Sequence, residues 1–197
     1  MHPAVKAVIP RHYEFDLYAE TPYPGGVLTD WMVKTWNEGN RQLDTNPGVK
    51  LVDEDVDQKL YKEATKRRAE NIDVYAAALQ TTFRDDRAFG YTLDELSLHA
   101  YSSQIEKSNV AINNWGGWFD ASTADAIIKT FLTLKNYQRA VIGPWNHGGW
   151  SGGEGRTLGR VNFGSATAAH YRANILTPFL AALYVPDDRL FAQAWAS

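Results

Sequence analysis

Two turns in this chain hold the residues best suited to chemistry. The first reads Gly116-Gly117-Trp118-Phe119-Asp120, the second Gly143-Pro144-Trp145-Asn146-His147-Gly148-Gly149. A carboxylate brought beside an imidazole makes acid–base chemistry available near neutral pH. The question is whether the chain carries elements that would bring Asp120 and His147 to one place.

Val110-Ala111-Ile112 is a short apolar run bounded by polar residues, the pattern of a buried strand. The adjacent glycines Gly116 and Gly117 give the backbone freedom to turn sharply before the acid. Ser122 and Asp125 then form a capping-box pattern, and Ile127, Ile128, Phe131 and Leu132 are expected on one face of the helix it opens. Arg139-Ala140-Val141-Ile142-Gly143 reads as the next strand, with the histidine turn beyond it. Strand, helix and strand in that order predict a parallel pair. Its carboxyl edge is where open α/β sheets place their chemistry.

This unit resembles the second half of an α/β-hydrolase, whose triad runs in chain order Ser, Asp, His. The residues GGWFD at 116–120 and GPWNHGG at 143–149 narrow the likeness. They are similar to the paired turns of the cocaine-esterase and X-prolyl dipeptidyl-peptidase group of serine hydrolases, and the resemblance extends over most of the chain. It implies acyl transfer from an ester or amide to water, with a small ester or peptide as substrate and no cofactor or metal. By it Asp120 is the triad acid and His147 the general base. The base takes the nucleophile's proton while the acid fixes its tautomer and steadies the imidazolium. Trp118, Phe119, Ser122 and Trp145 are the matching candidates for contact with substrate. Relatives that accept α-amino acyl groups carry acids just beyond the triad Asp, whereas Ala121-Ser122-Thr123 offers none here.

The resemblance also demands a serine on a G-x-S-x-G elbow upstream of the acid. The single G-x-S-x-G match, Gly149-Trp150-Ser151-Gly152-Gly153, follows the base and lacks the strand–turn–helix setting the motif needs. The expectation is therefore a fragment whose serine and oxyanion donors lie before residue 1, inactive as a hydrolase by itself. An unpaired sheet edge would make it prone to associate.

Bulk properties fit one globular domain, alone or with a lid. The 197 residues are 44% apolar and 22% charged, ordinary for a globular protein. A net charge of −3 without a basic stripe excludes an electrostatic nucleic-acid binder. No apolar run approaches the roughly 18 residues of a membrane-spanning helix. Cysteine is absent, which removes disulfides and thiolate metal sites without assigning a compartment. The seven tryptophans are the unusual feature, since aromatic walls suit apolar acyl or ring groups.

Taken in order, Ala4 to Pro10 reads as a strand closed by proline, and Arg11 to Gly26 as turns, with Asp16 and Tyr18 as minor pocket candidates. Thr29 or Asp30 opens a helix bearing Trp31, Val33, Trp36 and Leu43, ended by Asn46-Pro47-Gly48. Residues 53–71 read as a helix with acids first and bases last, complementing its dipole, and with Val56, Leu60 and Ala64 as its one apolar stripe. Asp73 starts an alanine-rich helix through Leu79. In Phe83-Arg84-Asp85-Asp86-Arg87 the carboxylates are expected to pair with the flanking arginines. A capping box at Thr92 and Glu95 opens a helix to about Tyr101. Further helices are expected from Ala166 and from Pro178 to Tyr184.

The predicted architecture is α/β: part of a hydrolase sheet from 1–27 and 102–197, with a helical cap, 28–101, inserted over the site. His2, His12, His99 and His170 read as surface or core residues, and their spacing matches no metal motif. Two rival readings stand beside the enzyme. One is a hydrolase-derived scaffold that binds an apolar ligand or partner through its aromatic cap. The other is an unrelated α/β binding domain in which the two motifs are only tight turns.

Overall fold

A computed structural model describes residues 2, 4–46, 48, 50–147, 157–158 and 160–162. The Ser151 motif, the helices expected from Ala166 and from Pro178, His170, Trp150 and Trp195 all lie outside the described residues. The chain divides into two compact units, Met1–Thr21 with Ser97–Ser197, and Pro22–Leu96.

The first unit holds a three-stranded parallel sheet in the order β1 (Ala7–Val8), β2 (Ala111–Gly117), β3 (Gln138–Gly143). Ala7 pairs with Ala111, and Ile112 through Gly117 pair in step with Gln138 through Gly143. β2, in the middle, is buried along its whole length. It is longer than the apolar run predicted, because Asn113 and Asn114 continue it. Asn114 can lie buried because it is fully bonded: its amide oxygen accepts from the Tyr13 hydroxyl at 2.7 Å, and its amide nitrogen donates to Gln138 Oε1 at 3.2 Å.

Helix α7 (Thr123–Thr133) connects β2 to β3, but with a different face inward from the one the pattern suggested. Thr123, Ala124, Ala126, Ile127 and Thr130 are buried, whereas Ile128, Phe131 and Leu132 are exposed. Small residues win the inner face because the helix lies close on the sheet. A Cβ on Gly116 would come within 2.6 Å of Ile127 Cδ1. Ser122 does not cap α7 with its side chain; its hydroxyl donates to the Glu20 carbonyl at 2.5 Å. On the opposite face Trp115 stacks on Trp145, ring centroids 5.6 Å apart, with Ile9 and Val141 against them. Trp145 is only 3% exposed, its indole packed within this core.

This unit also holds two short α-helices, α1 (Leu17–Glu20), which interrupts the expected turns, and α6 (Ser102–Ser108). Asp16 caps α1, accepting from the Ala19 backbone N–H at 3.1 Å.

The second unit is helical: α2 (Asp30–Thr45), α3 (Lys59–Arg68), α4 (Val74–Leu79) and α5 (Leu93–Leu96). It adds no strand to the three-stranded sheet. α3 is shorter than the 53–71 expected, and Val56 and Leu60 are exposed rather than packed as a stripe. Asp55, buried, takes its carboxylate back onto the Leu60 and Tyr61 backbone N–H groups, so the acids before the helix cap it instead of joining it. Asp73 caps α4, and Thr92 and Glu95 form the reciprocal capping box. That box opens only one turn, after which the chain is 3₁₀ at Leu98–Tyr101. Arg84 pairs with Asp94, and Arg87 with Glu95; Asp86 caps the Thr82-Phe83 turn.

Candidate active site

At the carboxyl edge of the sheet the backbone fastens the two turns together. Trp118 N–H donates to the Gly143 carbonyl at 2.9 Å, and Phe119 N–H to the Trp145 carbonyl at 3.1 Å. This contact explains the glycines better than the sharp turn expected of them. Gly116 and Gly117 are the last residues of β2, and neither has a positive φ; the left-handed residue is Ala121, φ 45°. A Cβ on Gly117 would fall 1.8 Å from the Trp145 carbonyl oxygen, and one on Gly143 would meet the Trp145 ring at 2.4 Å. The glycines permit close approach of two strand ends.

The turns so joined bring Asp120 and His147 together. His147 Nδ1 lies 3.0 Å from Asp120 Oδ1 and 3.2 Å from Oδ2. Asp120 is buried, while the His147 side chain is 69% exposed. With Nδ1 turned to the carboxylate, Nε2 on the other edge of the ring is the atom left to serve a reacting group. Trp118 and Phe119, the two residues before the acid, are 59% and 44% exposed and offer apolar surface beside it. Ser122, two residues past the acid, is partly buried, and its hydroxyl donates to the Glu20 carbonyl.

A third residue, which sequence reasoning set aside, belongs to the same cluster. His12 Nδ1 lies 2.5 Å from Asp120 Oδ2, its side chain 6% exposed, its ring centroid 4.9 Å from that of His147. β1 delivers it: the strand's line continues through Arg11, which bridges Trp115, and the His12 N–H donates to the Trp115 carbonyl at 3.4 Å. Burial lowers the His12 pKa below the ordinary imidazole value, outweighing the hydrogen bond and charge of Asp120; His147 and Arg11 push it the same way as burial. His12 is therefore a neutral donor near pH 7. The only signal in the sequence was its position just past Pro10, at the end of a predicted parallel strand.

The donor atoms of His12, Asp120 and His147 lie within 4.8 Å of one another, so these are residues that a cation would find. Two imidazole nitrogens turned on one carboxylate account for their convergence as hydrogen bonding. Among the described residues no helix is long and apolar enough to cross a membrane.

Comparison with known proteins is consistent with this picture. A protein-family model described as X-Pro dipeptidyl-peptidase (S15 family) matches residues 1–149. Two curated proteins are similar, "Putative serine esterase Mb1866c" of Mycobacterium bovis and "Putative serine esterase MT1883" of Mycobacterium tuberculosis. Each is 32% identical over 82% of this chain and 32% of its own length. The chain spans about a third of the length of the curated relatives it matches.

Proposed function

The chain belongs to the X-Pro dipeptidyl-peptidase (S15) family of hydrolases, and on that premise we propose that it supplies the acid and base of a serine-hydrolase triad. The observation that carries the reading is the 3.0 Å contact between Asp120 and His147 at the ends of neighbouring parallel strands. In this reading Asp120 holds the Nδ1–H tautomer of His147, and His147 Nε2 takes the proton from a serine hydroxyl as it attacks an ester or amide carbonyl. The imidazolium then returns the proton to the leaving alcohol or amine, and the acyl-enzyme is released by water activated in the same way. Family membership removes the alternative of an unrelated domain with two coincidental turns.

The serine is proposed to lie upstream of Met1, in keeping with the order Ser, Asp, His. Trp118 and Phe119 are proposed to receive an apolar acyl group, and 28–101 to act as the cap. The substrate preferred is an ester without a free α-ammonium, since Ala121-Ser122-Thr123 places no carboxylate just past Asp120.

The test is hydrolysis of a simple aryl ester by the purified chain, with and without the upstream coding segment supplied. The expected result is no enzymatic rate from the chain alone, since loss of the serine costs about 10⁶ in turnover. Supplying the segment should restore activity, and His147→Ala should abolish it again. Activity of the chain alone that vanishes in both Ser151→Ala and His147→Ala would overturn the reading and make Ser151 the nucleophile.

A further inference from the structure

We propose that His12 is a positioning residue for the Asp120–His147 pair, its Nδ1–H holding Oδ2 of the carboxylate so that Oδ1 stands nearest His147 Nδ1. The inference rests on the reading of Asp120 and His147 as acid and base. It begins with topology. In the order β1-β2-β3 the middle strand delivers the carboxylate, and its neighbours on either side each deliver an imidazole. A residue just past the end of β2 can be reached from both flanks, and Asp120 is.

The carboxylate needs holding. Its terminal torsion is broad and two-fold, so a carboxylate with one partner can rock or flip without much cost. Among the described residues His12 and His147 are the two donors to the Asp120 side chain. His147 cannot fix the carboxylate alone, since it is the exposed partner and the one that must gain and lose a proton. His12 can. It is closer, at 2.5 Å against 3.0 Å, and its side chain is almost fully buried.

His12 is itself anchored. Its backbone sits in the left-handed region at φ 51°, a conformation unfavourable for an ordinary L-residue. It is held there by the N–H bond to the Trp115 carbonyl on β2, the strand that leads to Asp120. Donor and acceptor are thus fixed to the same strand. Among the described residues, the charged or titratable groups acting on the His12 ring include Asp120, His147 and Arg11. A neutral His12 gives Asp120 a directed N–H without adding a cation. The full negative charge of the carboxylate stays available to the imidazolium that forms on His147.

The test reads the tautomer of His147 directly and does not depend on turnover. The chain is labelled with ¹⁵N-histidine, and the ring nitrogens of His147 are followed above the imidazole pKa in the unmodified chain, His12→Phe, His12→Ala and His12→Asn. The unmodified chain should show His147 as Nδ1–H. His12→Phe, or His12→Ala if the phenylalanine does not fold, should lose that form toward the Nε2–H tautomer that unrestrained histidine favours. His12→Asn should restore it, since the asparagine amide places a donor near the former Nδ1 and tolerates a left-handed backbone. A His147 tautomer that is unchanged in the folded donorless variants would overturn the proposal alone. Nε2–H already dominant in the unmodified chain would overturn it together with the acid–base reading it rests on.

Discussion

Asp120 and Gly117 show how much at this site is decided by single residues. Asp120 can be shared by two imidazoles only because the β2 and β3 ends approach to carbonyl contact, and Gly117 is where they touch. Gly117→Ala sets a Cβ 1.8 Å from a backbone oxygen, a clash no rotamer relieves. The strand ends must part, breaking the Trp118 and Phe119 bonds that hold the turns. The expected loss is about 3 kcal/mol or more, read as a lower urea midpoint at unchanged slope. A midpoint within experimental error of the parent would show that the turns are not held at Gly117. Residue by residue, legibility in the sequence followed local context. Asp120 and His147 stand in short glycine–tryptophan turns and could be picked out. His12 stands in an undistinguished loop and meets Asp120 across 108 positions, a pairing that only the strand order reveals.

At the scale of elements, the sequence pattern found five of the seven described α-helices, missed α1 and α6, and misjudged ends and faces. β2 outran its apolar run because a buried polar network, Tyr13–Asn114–Gln138, can take the place of aliphatic burial. α7 turned small residues inward because distance to the sheet, not hydrophobicity, chose its face. A charged cluster then ties α1 to α7. The Glu20 side chain is 1% exposed and accepts from the Phe15 N–H at 2.7 Å, the Asp16 N–H at 3.2 Å and Lys129 Nζ at 2.8 Å. Lys129→Met removes the only cation paired with that carboxylate among the described residues and leaves it two backbone donors. The expected cost is about 1–3 kcal/mol, below the figure for a fully buried pair because the Lys129 side chain is 37% exposed. Glu20→Gln in the same background should recover part of the loss, since the amide needs no countercharge. If Lys129→Met unfolds at the parent's denaturant concentration, the ion pair does not join these helices.

For the whole molecule the prediction concerns stability against pH, where two buried groups of the first unit set opposite limbs. The His12 pKa is lowered by burial, so between that value and about 6.5 the unfolded chain takes up a proton that the folded chain refuses. Stability is then present above about pH 6.5 and is lost as pH falls through this window. Tyr13 acts at the other end. Burial, with the charge of Glu20 adding to it, pushes its phenol up to about 12, against about 10 when unfolded. The folded chain keeps that proton while the unfolded chain loses it, so stability falls from about pH 10 to about pH 12, by roughly 2–3 kcal/mol. Tyr75, partly exposed and raised by its hydrogen bond to Asp30, bends the alkaline limb in the same direction, so the total curve cannot isolate Tyr13. A difference measurement can. Urea midpoints of the parent, Tyr13→Phe and His12→Asn are taken from pH 4 to pH 12. Tyr13→Phe should start lower at neutral pH by about 1 kcal/mol, from loss of the bond to Asn114, then draw level with the parent and pass it between pH 10 and 12. His12→Asn should flatten only the limb below about pH 6.5. Curves that stay parallel to the parent across both windows would mean that neither group changes its protonation on folding.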